Sequence, residues 1–195
     1  LDYFVNNAGT FALQNLDTPY EEIRNMIELI FIAPYGINHY LAQKFRDKPD
    51  NPLSVLNVGS QAGLQVMEKN HGYGPGKTGF TRSTFDIEAD LERRGVDHIT
   101  FSEIFPNLVG TEDVLDTMTK DESLKDPMPE IDVAKLSVEL LLGKTATNRV
   151  RAGYYEGEGI KRTYFKPTSQ NFYMPEGTDE VTNKNYTPKD LLKGE

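Results

Sequence analysis

Tyr73 and Lys77 stand four residues apart in a stretch that the sequence predicts to open a helix. Residues at this spacing share one helix face, with Cβ atoms about 5–6 Å apart. A phenol has a pKa of about 10, so on its own it exchanges protons poorly at neutral pH. We expect the ammonium group of Lys77 to stabilise the phenolate and to lower the pKa of Tyr73. The pair therefore indicates an acid–base site.

Ser60 precedes this pair and directly follows a predicted strand. Its hydroxyl could hold a substrate oxygen beside the phenol of Tyr73. The three side chains together suit the handling of a proton on an alcohol or a carbonyl. Acyl transfer is disfavoured, because the pattern offers no histidine or other base to activate Ser60.

The elements that must position these residues alternate between strands and helices. Apolar, β-rich runs predict four strands, at residues 1–7, 53–58, 98–105 and 151–156. Helical spacing and end signals predict helices over 17–45, 72–95 and 133–142, the first of them kinked at Pro34, with at most one short helix in 112–129. This alternation predicts an α/β fold, a doubly wound parallel sheet with helices on both faces.

Four groups of residues fall where predicted strands end. They are Asn6-Asn7-Ala8-Gly9, Ser60, the Tyr73–Lys77 pair, and the segment that holds Pro106, Val109 and Thr111. Ligands of open α/β sheets bind beyond the carboxyl ends of the strands. We therefore expect all four groups to line one crevice.

Four segments of the chain resemble the short-chain dehydrogenase/reductase (SDR) family. They are "LDYFVNNAG", "SVLNVGSQAG", "GYGPGK" and "FPNLVGT", and the 13-residue separation of Ser60 from Tyr73 is common in that family. The resemblance runs from Leu1 to about Gly159. It implies a Rossmann-like fold, an NAD or NADP cofactor, and an oxidoreductase that interconverts a small-molecule carbonyl and an alcohol by hydride transfer.

The same resemblance implies a role for each site residue. Ser60 would orient the substrate carbonyl, Tyr73 would pass the proton, and Lys77 would tune Tyr73 and bind the nicotinamide ribose. Asn7, Ala8 and Gly9 would line the adenosine side of the cofactor. The segment after Pro106 would hold the nicotinamide carboxamide through Val109 and Thr111. By resemblance, the helices over 19–46 and after Tyr73 would pair with their copies in a homodimer or homotetramer.

Two positions depart from the family pattern. Ile30 stands where the family usually has an asparagine that anchors a water in a proton relay, and Asn107 replaces a usual glycine. Because isoleucine cannot bind water, the relay must be replaced or the enzyme is impaired, and we expect Ile30→Asn to raise the rate. The departures also leave open a degenerate relative that binds a nucleotide or a protein partner without turnover.

The front of the chain lacks the Gly-rich turn that receives a pyrophosphate in this family. We expect about three βα units to be missing upstream of Leu1. Residues 1–160 are then the C-terminal part of the SDR domain, and residues 161–195 form an extended tail. The choice between NAD and NADP stays open, because its determinant lies near an upstream strand. A purely structural or interaction subunit is a third possibility.

Composition excludes several other classes of protein. The 195 residues contain no cysteine, which excludes disulfides and thiolate catalysis, and the three histidines are too scattered to indicate a metal site. A formal net charge of −9 disfavours nucleic-acid binding. The longest uncharged apolar run, 29–34, is far shorter than a membrane span, and we expect a cytoplasmic protein. "GYGPGKTG" resembles a phosphate-binding P-loop, but His71 occupies the position of its first glycine.

Overall fold

A computed structural model describes residues 1–118, 127–145, 148–155 and 159–164. The chain divides into two compact units, Leu1–Glu103 and Ile104–Glu195. None of the helices in the described part of the chain combines the length and the apolar character that a bilayer crossing needs.

The first unit is built on parallel strands, as the sequence predicted. The strands are β1 (Tyr3–Asn6), β2 (Leu53–Val58) and β3 (Ile99–Pro106), which lie side by side in that order. β1 and β2 run parallel, and their register pairs Asn6 with Asn57. Leu53, Val55 and Leu56 are all buried, which is typical of a parallel strand that is covered on both faces.

The helical segment between β1 and β2 contains a π-helical turn just before Pro34. Helix α1 (Tyr20–Ile27) leads into this turn (Glu28–Ile32), and helix α2 (Ala33–Phe45) follows it. The backbone N–H of Ala33 donates to the carbonyl of Glu28, five residues back. Because Pro34 has no N–H to continue an α-helical ladder, the sequence breaks regular helix geometry here. The sequence predicted a kink at Pro34 but not a wider turn ahead of it.

Helix α3 (Tyr73–Arg93) packs one face into the core. Its buried face includes the predicted stripe of Phe80, Thr84, Ile87 and Leu91, so that prediction is confirmed. Ile87 and Leu91 belong to a cluster that also contains side chains of α2, β2 and β3, namely Leu41, Ala42, Phe45, Leu53, Val55, Ile99 and Phe101. The helix ends just before Gly95, whose φ of +71° favours glycine as the residue that follows a helix.

A buried chain of polar side chains connects strands β1 and β2 with helices α2 and α3. Asn6 Nδ2 donates to Asn38 Oδ1 (3.2 Å), and Asn38 Nδ2 donates to Asn57 Oδ1 (3.1 Å). Asn57 Nδ2 then donates to Thr84 Oγ1, also at 3.1 Å. Because buried polar groups cost free energy unless they are paired, this chain fixes the register of β1, α2, β2 and α3.

The second unit contains helix α4 (Glu112–Met118), helix α5 (Glu130–Leu141) and an antiparallel pair, β4 (Arg149–Tyr155) with β5 (Gly159–Tyr164). Helix α5 confirms the predicted helix and ends before Gly143, whose φ is +64°. β4 confirms the predicted fourth strand, whereas β5 was not predicted. The prediction of a tail over residues 161–195 is wrong for 161–164, which pair with β4 as part of β5. The rest of that tail and the loop 119–126 lie outside the described residues.

Candidate active site

A short turn after β2 presents Ser60. Ser60 precedes a 3₁₀ turn (Gln61–Gly63), and its Oγ accepts a hydrogen bond from the backbone N–H of Ala62 at 3.2 Å. This is the usual role of a serine that caps a helical turn. Since the Oγ accepts from Ala62, the hydroxyl proton of Ser60 is available for donation.

The 3₁₀ turn lies tightly against the beginning of α3. A Cβ atom added to Gly63 would lie 3.0 Å from Cβ of Lys77, so only glycine allows this approach. Thr78 Oγ1 donates to the carbonyl of Gly63 at 2.9 Å and joins the two segments. The sequence motif "SQAG" thus places Ser60 opposite the first turn of α3.

Ser60 and Tyr73 are brought together as the sequence predicted. Their hydroxyl groups are joined by a side-chain hydrogen bond. The ring of Phe11 packs edge-on against the ring of Tyr73, with centroids 5.2 Å apart and an interplanar angle of 85°. Phe11 was not recognised from the sequence, because the loop that holds it is far along the chain from helix α3.

The predicted shift in the pKa of Tyr73 is wrong in direction. Burial of the phenol raises its pKa above the usual value of 10.0, and the hydrogen bond with Ser60 offsets only part of that effect. The physical reason is that desolvation penalises the phenolate more than its one hydrogen bond stabilises it. Tyr73 therefore carries its proton throughout the neutral range.

Lys77 is buried beneath Tyr73, and its side chain is 6% exposed. Its Nζ lies 5.8 Å from the centroid of the Tyr73 ring and donates a 2.7 Å hydrogen bond to the carbonyl of Val58. Burial lowers the pKa of Lys77 from 10.5 to about 8, whereas the charge of Glu103 acts in the opposite direction. The predicted side-chain pair is present, with the ammonium group facing the ring and β2.

Glu103 is a buried charge that the sequence analysis did not single out. It lies on β3, is fully buried, and accepts a 2.7 Å hydrogen bond from the hydroxyl of Thr81. Thr81 is one helical turn after Lys77 on α3 and is itself buried. The signal in the sequence was the one charged residue of the strand "ITFSEIFP".

The segment Asn7-Ala8-Gly9 follows β1 and is exposed. A Cβ atom on Gly9 would lie 3.7 Å from Cγ2 of Ile30, which is ordinary contact. Ile30 itself is 1% exposed and lies against Gly76, where an added Cβ would meet it at 2.8 Å. Ile30 therefore fills apolar space between this segment and α3.

Pro106, Val109 and Thr111 belong to the second unit. Pro106 is buried at the end of β3, and Val109 and Thr111 are half-buried in the segment that follows. This segment pairs with the stretch before α5, since Gly110 N–H donates to the carbonyl of Met128 at 2.9 Å. Thr111 N–H donates to the carbonyl of Val109 at 2.8 Å, which fixes a tight turn.

The first unit thus presents a protonated phenol and a serine hydroxyl at one point, with a buried amine behind the phenol. Two adjacent hydroxyl donors can polarise one carbonyl oxygen, and the phenol can deliver a proton to it. The arrangement suits proton transfer at a carbonyl or an alcohol.

The chain is similar to known proteins in sequence and in fold. No family model matches the chain. The mouse protein "Dehydrogenase/reductase SDR family member 1" is 31% identical over 134 residues, which are 66% of this chain and 42% of that protein. The chain thus spans less than half the length of this curated relative.

Solved structures share the fold at lower identity. A 4-hydroxyisoleucine dehydrogenase complexed with NADH is 17% identical, with a TM-score of 0.63 over 80% of this chain and 70% of that one. A 7α-hydroxysteroid dehydrogenase complexed with NADH and 7-oxo glycochenodeoxycholic acid is 17% identical, with a TM-score of 0.62 over 80% and 63%. ElxO with NADP bound is 19% identical, with a TM-score of 0.63 over 78% and 64%.

The chain is therefore an α/β protein of the Rossmann type. Over 134 residues its sequence is similar to a curated member of the short-chain dehydrogenase/reductase family.

Proposed function

We propose that this protein is an NAD(P)(H)-dependent oxidoreductase that interconverts a small-molecule carbonyl and the corresponding alcohol. The observation that carries this proposal is the juxtaposition of three side chains, Ser60, Tyr73 and Lys77, through one hydrogen bond and one cation–ring contact. The sequence similarity to a member of this family, and the NADH or NADP bound in solved structures of the same fold, support it.

In the proposed reaction, Tyr73 is the acid in the direction of reduction and the base in the direction of oxidation. Its raised pKa keeps the proton available for a carbonyl oxygen at neutral pH. Ser60 donates a second hydrogen bond to the same oxygen and holds it against the phenol. The ammonium group of Lys77 lies behind the ring and stabilises the phenolate that remains after proton transfer.

The donor set of the site fits a nicotinamide dinucleotide. An ammonium group has three N–H donors, and Lys77 directs one of them to Val58, which leaves two for a ribose diol. The exposed backbone of Asn7, Ala8 and Gly9 would line the adenosine side. When bound, the nicotinamide supplies or accepts the hydride, while the protein provides orientation and proton transfer.

One observation favours a second function, the binding of a dinucleotide without turnover. Ile30 occupies a buried, apolar site where the family usually has an asparagine, so this chain lacks that amide at the position of the relay. A relative that binds the dinucleotide without turnover would also account for the turns that bring Ser60 and Tyr73 together. The two functions share cofactor binding and differ in catalysis.

The test measures consumption of NADH and NADPH by the full-length protein with a panel of ketones and aldehydes, together with calorimetric titration of both nucleotides. Nucleotide binding with turnover of at least one carbonyl supports the oxidoreductase. Binding without any turnover supports the second function, and absence of binding overturns both.

A further inference from the structure

We propose that Glu103 is a positioning residue that acts through Lys77. Its buried carboxylate, fixed by Thr81, is the counter-charge that retains the ammonium group of Lys77 next to Tyr73. The inference deepens the proposed function and rests on it for its catalytic meaning, because a neutral amine would stabilise the phenolate of Tyr73 less well.

The geometry consists of three buried side chains on two neighbouring elements. Lys77 and Thr81 lie one turn apart on α3, and Glu103 lies on β3. Thr81 Oγ1 donates to Glu103 Oε1 at 2.7 Å. The exposed fractions of Lys77, Thr81 and Glu103 are 6%, 1% and 0%, so solvent does not screen the charges from one another.

The surroundings of Lys77 show why a counter-charge matters. Tyr73 faces its Nζ from α3, the carbonyl of Val58 accepts its hydrogen bond from β2, and the backbone of Gly63 packs against its Cβ from the 3₁₀ turn. Glu103 contributes a full negative charge from β3, and that charge raises the pKa of Lys77 against the effect of burial. With burial alone, the amine would lose its proton at a lower pH.

A purely structural role for Glu103 would be to join β3 to α3 through Thr81. Both roles predict that removal of the carboxylate lowers stability. Only the electrostatic role predicts a change in the titration of Lys77, so that titration is the measurement that separates them.

The experiment labels lysine at ¹³Cε in the full chain and follows the NMR signal of Lys77 as a function of pH, with Lys77→Arg to assign it. In the natural protein we expect a midpoint at about pH 8. In Glu103→Gln we expect the midpoint to fall by about one pH unit or more. Glu103→Asp retains the charge and should restore most of the shift. Asp86→Asn removes an exposed carboxylate of the same helix and should leave the midpoint unchanged.

An unchanged midpoint in folded Glu103→Gln, or an equal fall in Asp86→Asn, overturns the proposal. If Glu103→Gln does not fold, Thr81→Val decides, because it removes the hydrogen bond that fixes the carboxylate and leaves the charge in place. In Thr81→Val, a fall in the Lys77 midpoint that is smaller than the fall expected for Glu103→Gln supports the proposal. An unchanged Lys77 midpoint overturns it. The titration requires no turnover, so its result is independent of whether the carbonyl panel reveals an oxidoreductase.

Discussion

The side chain of Ile30 occupies the space that a Cβ atom would take on Gly76. Both Cδ1 and Cγ1 of Ile30 lie 2.8 Å from that position, and Ile30 is 1% exposed. The isoleucine belongs to the π-helical turn ahead of Pro34, and the glycine belongs to the first turn of α3. Gly76, one position before Lys77, thus leaves the space that Ile30 fills where the family usually has an asparagine.

This packing reverses the expected effect of Ile30→Asn. The sequence suggested that the asparagine would restore a proton relay and raise the rate. The structure instead predicts a loss of about 3–5 kcal/mol in the free energy of unfolding, because the change removes apolar contacts and buries an amide among apolar atoms. Chemical denaturation measures this loss in the free energy of unfolding. Ile30→Val is the control and should lose about 1 kcal/mol. A stable Ile30→Asn protein with a higher turnover rate would contradict the packing role.

The same contact predicts energetic coupling between Gly76 and Ile30. Gly76→Ala alone should destabilise by about 1–3 kcal/mol, because the new methyl group meets Ile30. In the double variant with Ile30→Ala, the methyl enters vacated space, so the combined loss should be smaller than the sum of the single losses by about 1 kcal/mol or more. Gly36→Ala on α2 is the matched control and should stabilise by roughly 0.5–1 kcal/mol, since its Cβ meets nothing within 4 Å. Additive losses would show that the residues do not compete for space.

Local patterns in the sequence predicted much of the first unit. Alternation of apolar runs and helical stripes located β1, β2, α3 and β3, because these signals lie within single elements. The spacing of Ser60, Tyr73 and Lys77 predicted their proximity, because a strand end and a helix start meet at one edge of a parallel sheet.

What the sequence did not predict depends on contacts between distant segments. The pKa of Tyr73 is raised by burial, and burial is a property of the packed structure. The counter-charge from Glu103 reaches Lys77 only because β3 lies against α3. The π-helical turn reflects both the missing N–H of Pro34 and the packing of Ile30 on Gly76, and only the first of these is visible locally.

The buried amide chain predicts a large cost for the loss of its central member. Asn38→Ala removes the donor to Asn57 Oδ1 and one of two acceptors of Asn6 Nδ2, the other being the carbonyl of Pro34. We expect a loss of about 3 kcal/mol in the free energy of unfolding, measured by denaturation. Asn25→Ala, at an exposed position of α1, should change stability by no more than about 0.5 kcal/mol. Equal effects at the two positions would mean that the chain of amides does not stabilise the fold.

Lys77 predicts a specific dependence of stability on pH. Its pKa is about 8 in the folded protein and 10.5 in the unfolded chain, so between these values the unfolded state binds more protons. Stability contributed by Lys77 is therefore fully present above pH 10.5 and is lost as the pH falls through 8. Relative to Lys77→Met, the natural protein should gain about 3 kcal/mol across this interval.

Denaturation of both proteins at several pH values measures this difference. Lys44→Met removes an exposed lysine and should show no comparable change relative to the natural protein. A difference between the natural protein and Lys77→Met that stays constant with pH would mean that the amine of Lys77 is not desolvated.

Turnover by Tyr73→Phe tests the proposed chemistry most directly. The change removes only the hydroxyl, and the ring contact with Phe11 and the cation–ring contact with Lys77 remain possible. With a carbonyl that the natural protein reduces, we expect turnover to fall at least about 100-fold while NADH or NADPH still binds. Tyr40→Phe, at an exposed position of α2, should retain full turnover. Undiminished reduction by Tyr73→Phe would contradict the assignment of Tyr73 as the group that transfers the proton.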